Sequence, residues 1–205
     1  GGTPSCEYPP TVINCADTGQ VCDTDTFECV DPPLPWPIAG DIVISDTGSN
    51  GLVLEEVSAG TGSVTLSTGG GITDGNNTTS GATTLDNAAN ITGGAVTLIA
   101  TGGIGSGAAS SVTDLDIATT SLTLTNSGSS ASNTDIVVTN TNGTTGATTL
   151  EALNNTDGDI IVIETSAVDL SLVTVDAGSG NVTLSAGGAI VDGNNTTSGA
   201  TTLDN

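Results

Sequence analysis

The chain is predicted to be all-β, a parallel β-solenoid (β-helix) preceded by a small disulfide-rich N-terminal module. Three observations predict it. The composition breaks sharply near residue 37, the segment beyond the break is built from duplicated Gly/Thr/Val-rich repeats, and that segment contains no aromatic residue.

The break comes first in the chain. All seven prolines, all four cysteines and the three aromatic residues (Tyr8, Phe27 and Trp36) lie in residues 1–37. From Ile38 to Asn205 only Ala, Asp, Glu, Gly, Ile, Leu, Asn, Ser, Thr and Val occur. The run Asp31-Pro32-Pro33-Leu34-Pro35-Trp36-Pro37 favours stiff, extended polyproline II and forbids helix. The expected organisation is therefore a small module at 1–30, a linker at 31–37 and a repeat array at 38–205.

Within the module, Cys6, Cys15, Cys22 and Cys29 are separated by eight, six and six residues. Zinc ligands usually come as close C-x2-4-C pairs, often with His. These spacings, with no His anywhere, point instead to two disulfides formed in an oxidising compartment, with three connectivities open.

The array carries an internal duplication. Residues 40–87 align without gaps on 158–205, with 31 of 48 positions identical. Short β-rich runs recur through it: DIVI from Asp41, GLVLEEV from Gly51, SVTL from Ser63, AVTLIA from Ala95, SLTLTN from Ser121, DIVVTN from Asp135, DIIVIE from Asp159 and DLSLVTV from Asp169. Each is short, partly alternating and bounded by Gly, Asn, Ser or Asp, the pattern of strands between tight corners. Helix is excluded by the β-branched residues, the frequent Gly and the lack of an i, i+3, i+4 stripe. Disorder fits the Gly/Ser/Thr content but not the regular Val/Ile/Leu positions. A β-sandwich needs bulky residues to fill a core about 10 Å thick, whereas a solenoid stacks small aliphatic side chains on their own kind. At about 20 residues per coil the array would form roughly eight coils.

The patterns GSVTLSTGGGITDG, ITGGAVTLIATGGIGS and GNVTLSAGGAIVDG resemble repeats of the large secreted bacterial adhesins of the filamentous haemagglutinin type. The resemblance spans about residues 40–205 and implies a right-handed parallel β-helix, export from the cell, and surface attachment or matrix building. The secretion domain that usually begins such proteins is not seen here.

Charge narrows the function further. There are 23 acidic residues and no Lys, Arg or His, a formal net charge of -23. Nucleic acid binding depends on Lys and Arg contacts to phosphate, so that partner class is excluded. No apolar run approaches the roughly 20 residues of a spanning helix, and membrane insertion is not expected. A Ser/His/Asp triad, a Schiff-base lysine and a phosphate clamp cannot be built. Paired carboxylates such as Glu55, Glu56 and Glu164 remain conceivable in glycoside hydrolysis, but without basic or aromatic companions the reading is of a protein that is not an enzyme. No cofactor is expected.

One weak metal site suggests itself. Asp74 and Asp192 occupy equivalent Asp-Gly turns beside Asn76, Asn77, Asn194 and Asn195, an all-oxygen setting that suits calcium. The simpler reading is that Asp-Gly and Asn-rich stretches make turns. Thr-x-Thr pairs at Thr123/Thr125 and Thr139/Thr141 hint at ranks of hydroxyls but recur at no constant spacing. Eight Asn-x-Ser/Thr sequons occur, at Asn76, Asn77, Asn90, Asn142, Asn154, Asn181, Asn194 and Asn195.

The last repeat nearly duplicates an interior one, which must offer a stacking face to its successor. The C-terminal copy is therefore expected to offer the same face to a longer array or to a neighbouring molecule. The functional expectation is an extracellular or cell-surface structural protein, self-associating head to tail into a filament or matrix. Cell-surface or matrix polymers are the other expected partners. The alternative is a passive rod segment of a giant adhesin whose binding tip lies elsewhere.

Overall fold

A computed structural model describes residues 5–8, 11–14, 21–22, 29–30, 40–76, 88–105, 114–128, 135–143, 146–154 and 158–194. The chain divides into two compact units, Gly1–Ile38 and Ala39–Asn205. In the first, β1 (Ser5–Tyr8) pairs antiparallel with β2 (Thr11–Asn14), and β3 (Val21–Cys22) with β4 (Cys29–Val30). The second ribbon sets Cys22 opposite Cys29. Cys15 and the linker at 31–37 lie outside the described residues.

The second unit is a parallel β-solenoid, and no helix occurs among the described residues. One sheet has seven strands: β5 (Ile42–Asp46), β8 (Ser63–Thr68), β11 (Ala95–Ala100), β13 (Ser121–Asn126), β15 (Thr148–Asn154), β17 (Leu170–Asp176) and β19 (Ile190–Asp192). A second has six: β7 (Val57–Ser58), β10 (Ile91–Thr92), β12 (Leu115–Ala118), β14 (Ile136–Asn140), β16 (Ile160–Glu164) and β18 (Val182–Ala186). The chain alternates between the two sheets, so each coil adds one row to each. A third, short row pairs β6 (Leu52–Leu54) with β9 (Ile72–Asp74). That row continues through Ile72–Ile104 and Ile104–Ile136 bridges into the start of β14, while β12 joins β14 further on, at Val138. Three faces in the early coils thus become two from β14 onward.

The expected coil length holds only in part. Ile42 pairs with Val64, Val64 with Val96, Val96 with Leu122, Leu122 with Leu150 and Leu150 with Leu172, spacings of 22, 32, 26, 28 and 22 residues. Among the described residues the longer sheet has seven rows, where roughly eight coils were expected. At about 4.8 Å per row the seven rows span about 29 Å.

Like stacks on like inside. Val64, Val96, Leu122 and Leu150 form one buried column, and Leu66, Leu98 and Leu124 a second beside it. Ile72, Ile104, Ile136 and Ile160 form a third from the opposite wall. Burying each such side chain contributes about 1.5–3 kcal/mol, and the bore is narrow enough that no aromatic is needed. Tight corners require glycine locally. Gly105 has φ +84°, and a Cβ there would lie 2.1 Å from the carbonyl oxygen of Val137 in the next coil.

The duplicated segments show how register is set. Ile42↔Val64 and Leu52↔Ile72 in the first copy recur 118 residues later as Ile160↔Val182 and Leu170↔Ile190. Yet the copies occupy opposite phases: β5 and β8 lie in the seven-stranded sheet, their homologues β16 and β18 in the six-stranded one. The repeat therefore spans a half-integral number of turns, and the same sequence serves on either wall. Glu55 and Glu56, which separate β6 from β7, correspond to Val173 and Thr174. In the second copy β17 runs through continuously, and its register against β15 shifts between Leu150/Glu151, skipping Val173. A one-residue bulge absorbs the corner.

Inward and outward positions should respond very differently. Leu98→Ala is expected to lower unfolding stability by about 2–5 kcal/mol. Its outward neighbour Thr97→Ala should change stability by under about 0.5 kcal/mol. Urea titration followed by far-ultraviolet circular dichroism compares them. Equal effects would mean that Leu98 is not in the core.

Candidate functional site

With no basic side chain in the chain, carboxylates find their partners among N–H and O–H donors. One class of aspartate ties a coil to the next. Asp41 Oδ1 accepts from Ser63 N at 2.8 Å, Asp135 Oδ1 from Asp159 N at 2.9 Å, Asp159 Oδ1 from Asn181 N at 2.8 Å, and Asp169 Oδ1 from Ala189 N at 2.8 Å. A second class ends a strand and turns the corner by accepting the N–H two residues on. Asp46 takes it from Gly48, Asp176 from Gly178 and Asp192 from Asn194, at 2.8–3.0 Å. Thr68 Oγ1 and Asn126 Oδ1 do the same for Gly70 and Gly128. These are Asx and Ser/Thr turns, which satisfy a corner N–H that no strand partner reaches.

Asp74 and Asp192 belong to this second class. Asp74 Oδ1 accepts from Asn76 N at 2.9 Å and from Asn90 Nδ2 at 2.8 Å. Each neighbouring asparagine then clamps the preceding coil: Asn76 Nδ2 donates to the Glu55 carbonyl at 3.1 Å, and Asn194 Nδ2 to that of the equivalent Val173 at 3.2 Å. The two aspartates occupy the same corner of their copies on opposite sheets and are not brought together. Among the described residues no group of three or more His, Cys, Asp or Glu side chains is placed to share a metal ion. Asn77 and Asn195 lie outside the described residues. Glu55 and Glu56 line an open recess of about 560 Å³ with Asn76, Ala88, Ala89 and Thr92. Glu164, the remaining glutamate considered for paired-carboxylate chemistry, lies elsewhere.

Glu164 is buried, and it organises a polar network between coils. Its Oε2 accepts from Asn140 Nδ2 and Thr148 Oγ1, each at 2.6 Å. Its Oε1 accepts from Ser166 N at 2.9 Å and Asn142 N at 3.3 Å. Asn140 Nδ2 also reaches the Thr119 carbonyl at 3.1 Å, and Asn142 Nδ2 reaches Thr148 Oγ1 at 2.9 Å. Four converging donors satisfy a charge that would otherwise be costly to bury. Sequence reasoning did not find this role, because the partners come from other coils at unequal spacings. The available signal was the alignment of Glu164 with the corner residue Asp46.

The outward face of the seven-stranded sheet carries hydroxyls in register. Thr65, Thr97 and Thr123 are successive partners, followed by Glu151 and Thr174. Ser67, Ile99, Thr125 and Leu153 form the adjacent column. A Thr rank thus exists despite the uneven sequence spacing, although it is only three coils long. Thr139 and Thr141 lie in the other wall, where Thr139 Oγ1 donates to the carboxylate of Asp114 and Thr141 Oγ1 meets Thr165 Oγ1 at 2.8 Å. Of the sequons, Asn90, Asn142 and Asn154 are buried, and Asn181 is exposed.

Large apolar side chains are exposed on the first and last described rows and, at Ile99, on an interior one. Val43, Ile44 and Val53 are exposed on β5 and β6, and Val182, Ile190 and Val191 on β18 and β19. The chain matches no protein-family model, no curated protein and no solved structure.

The two copies of the corner carboxylate should differ in their worth. Glu164→Ala orphans several buried donors and is expected to cost on the order of 3 kcal/mol. Asp46→Ala, on the half-buried edge strand, should cost under about 1 kcal/mol. Urea unfolding of both variants measures the difference, and equal losses would remove the network from the stabilising interactions.

Proposed function

We propose that this chain is an extracellular structural protein, a subunit of a self-assembling filament or surface matrix whose coils stack head to tail. The observation that carries the proposal is the pair of apolar end rows. A parallel strand edge presents unpaired N–H and C=O groups and recruits another strand unless it is covered or blunted by charge or proline. Here the inward-facing Ile44 is 37% exposed on the first described row, with Val182 at 46% and Ile190 at 47% on the last, whereas their partners Leu66, Ile160 and Leu170 are fully buried. The edges differ from one another, so their association is heterologous and gives open filaments rather than closed dimers.

The rest of the reading follows from chemistry and from the likeness to filamentous haemagglutinin-type repeats. The solenoid is right-handed, as nearly all parallel crossover connections are. Two disulfides brace the N-terminal module, consistent with an oxidising, extracellular location. The role is non-enzymatic, since the carboxylates considered for catalysis are spent on corners and coil ties or stand without basic companions. Divalent cations such as calcium act by screening the acidic corners, with Asp74 and Asp192 the candidate contacts. The second reading, a rod segment of a giant cell-surface adhesin, is favoured by the same likeness.

Electron microscopy of the purified 205-residue chain, with and without millimolar calcium, separates the two. Fibres are expected, longer or more numerous with calcium because screening reduces repulsion between subunits of charge -23. Isolated short rods under both conditions would contradict the filament and favour the rod segment.

A further inference from the structure

We infer that Asn181 is a site of N-linked glycosylation, its amide taking an oligosaccharide from a lipid diphosphate carrier. The sequons at Asn76, Asn90 and Asn142 are closed to the same reaction once the chain has folded. The inference rests on the export half of the proposed function, since export is what brings a chain to a lipid-linked sugar. Its physical basis is a count of amide hydrogens.

An asparagine amide carries two N–H donors, and an N-linked sugar replaces one of them. A folded chain therefore accepts the sugar without loss only where one hydrogen is spare and the side chain meets solvent. Asn90 meets neither condition. It is fully buried, and its Nδ2 spends both hydrogens, on the Leu54 carbonyl at 3.0 Å and on Asp74 Oδ1 at 2.8 Å. Its Oδ1 accepts from Asp116 N at 2.9 Å, so this side chain ties its row to the rows on both sides.

Asn142 is also buried, and its Nδ2 donates to the Gly146 carbonyl at 3.1 Å and to Thr148 Oγ1 at 2.9 Å. Asn76 Nδ2 gives its two hydrogens to the Glu55 and Ala88 carbonyls, each at 3.1 Å. A sugar on any of these three would break a bond between coils or across a corner. At Asn90 and Asn142 it would also displace packed interior atoms. Burial alone closes Asn154.

Asn181 differs on every count. It is exposed, and so is Thr183, the hydroxyl residue that completes its sequon. Among the described residues its Nδ2 makes one hydrogen bond, to Asp159 Oδ1 at 3.0 Å. One hydrogen can keep that bond while the other is replaced. The coil tie does not depend on the side chain, because Asp159 Oδ1 also accepts from Asn181 N at 2.8 Å. Asn181 lies just ahead of β18, after a corner in which Gly178 has φ +58°. Val182 and Leu184 continue the inward columns of Ile160 and Val162, which turns Asn181 and Thr183 outward. A glycan there projects away from the solenoid axis and leaves the pairing of rows untouched. Asn194 is exposed too, but its sequon continues into residues outside those described.

In the transfer, Asn181 Nδ2 bonds to the anomeric carbon of the sugar, and the bond from that carbon to the diphosphate oxygen breaks. The lipid diphosphate leaves, and one amide proton passes to solvent.

The test uses the full chain, purified folded from a host that adds no glycans. It is incubated with a purified oligosaccharyltransferase and a lipid-linked oligosaccharide, and glycopeptides are mapped by mass spectrometry. Sugar is expected on Asn181 and on none of Asn76, Asn90 and Asn142, with the melting temperature unchanged by the modification. Thr183→Ala, which removes the sequon and keeps the asparagine, should abolish the Asn181 product. An unmodified Asn181 overturns the inference, as does sugar on Asn90 or Asn142 of a chain that still melts cooperatively. A chain glycosylated at Asn181 that forms no fibres removes the filament and leaves this site standing. Fibres built from a chain that refuses the sugar do the reverse.

Discussion

Everything in the solenoid depends on one repeated event, the parallel pairing of each coil with the coil before it. That pairing uses the backbone donors and acceptors of every strand, and it brings equivalent side chains into vertical contact. Columns such as Leu66, Leu98 and Leu124, or Ile72, Ile104 and Ile136, are its direct result. Because each column needs only aliphatic groups of similar size, the bore stays narrow and the array manages without aromatic residues. Coils of 22 to 32 residues share one register.

The absence of basic residues would seem to threaten such a stack. Its solution is visible at the corners, where carboxylates accept backbone N–H groups either within the turn or from the following coil. Asp41, Asp135, Asp159 and Asp169 act as ties between coils, and Asp46, Asp74, Asp176 and Asp192 as turn closers. Glu164 extends the second role into the interior. The outward face of the seven-stranded sheet is then left almost neutral, lined by Ser and Thr with Glu151 and the apolar Val43, Ile99 and Leu153 as interruptions. Charge at the corners resists lateral association, whereas the end rows carry apolar side chains. In the proposed filament this division would favour growth along the axis over clumping from the side.

Much of the fold was legible because strand chemistry is local. The runs DIVI, SVTL, AVTLIA, SLTLTN, DIVVTN and DIIVIE all became strands, and GLVLEEV split into β6 and β7 at its two glutamates. β15 went unseen because Glu151, Ala152 and Asn154 do not look like strand residues; continuous pairing with β13 and β17 overrides their weak propensity. β10, at two residues, was too short to show a pattern. Register was not legible at all. It is a relation between coils, and the variable corners erase any fixed period along the chain, which is why the Thr65, Thr97 and Thr123 rank emerges only in three dimensions. The same holds for Glu164, whose donors arrive from residues 140, 142, 148 and 166.

The central claim is that unequal stretches of sequence are brought into one vertical register. Pulsed electron paramagnetic resonance between spin labels at positions 65 and 174 tests it most directly, in a background with the four native cysteines changed to serine. These positions belong to one column, linked through residues 97, 123 and 151. Four strand spacings separate them, so the account predicts a narrow distribution with backbones about 19 Å apart. A broad distribution, or one centred far from that spacing, would contradict the stacked solenoid and the assembly built on it.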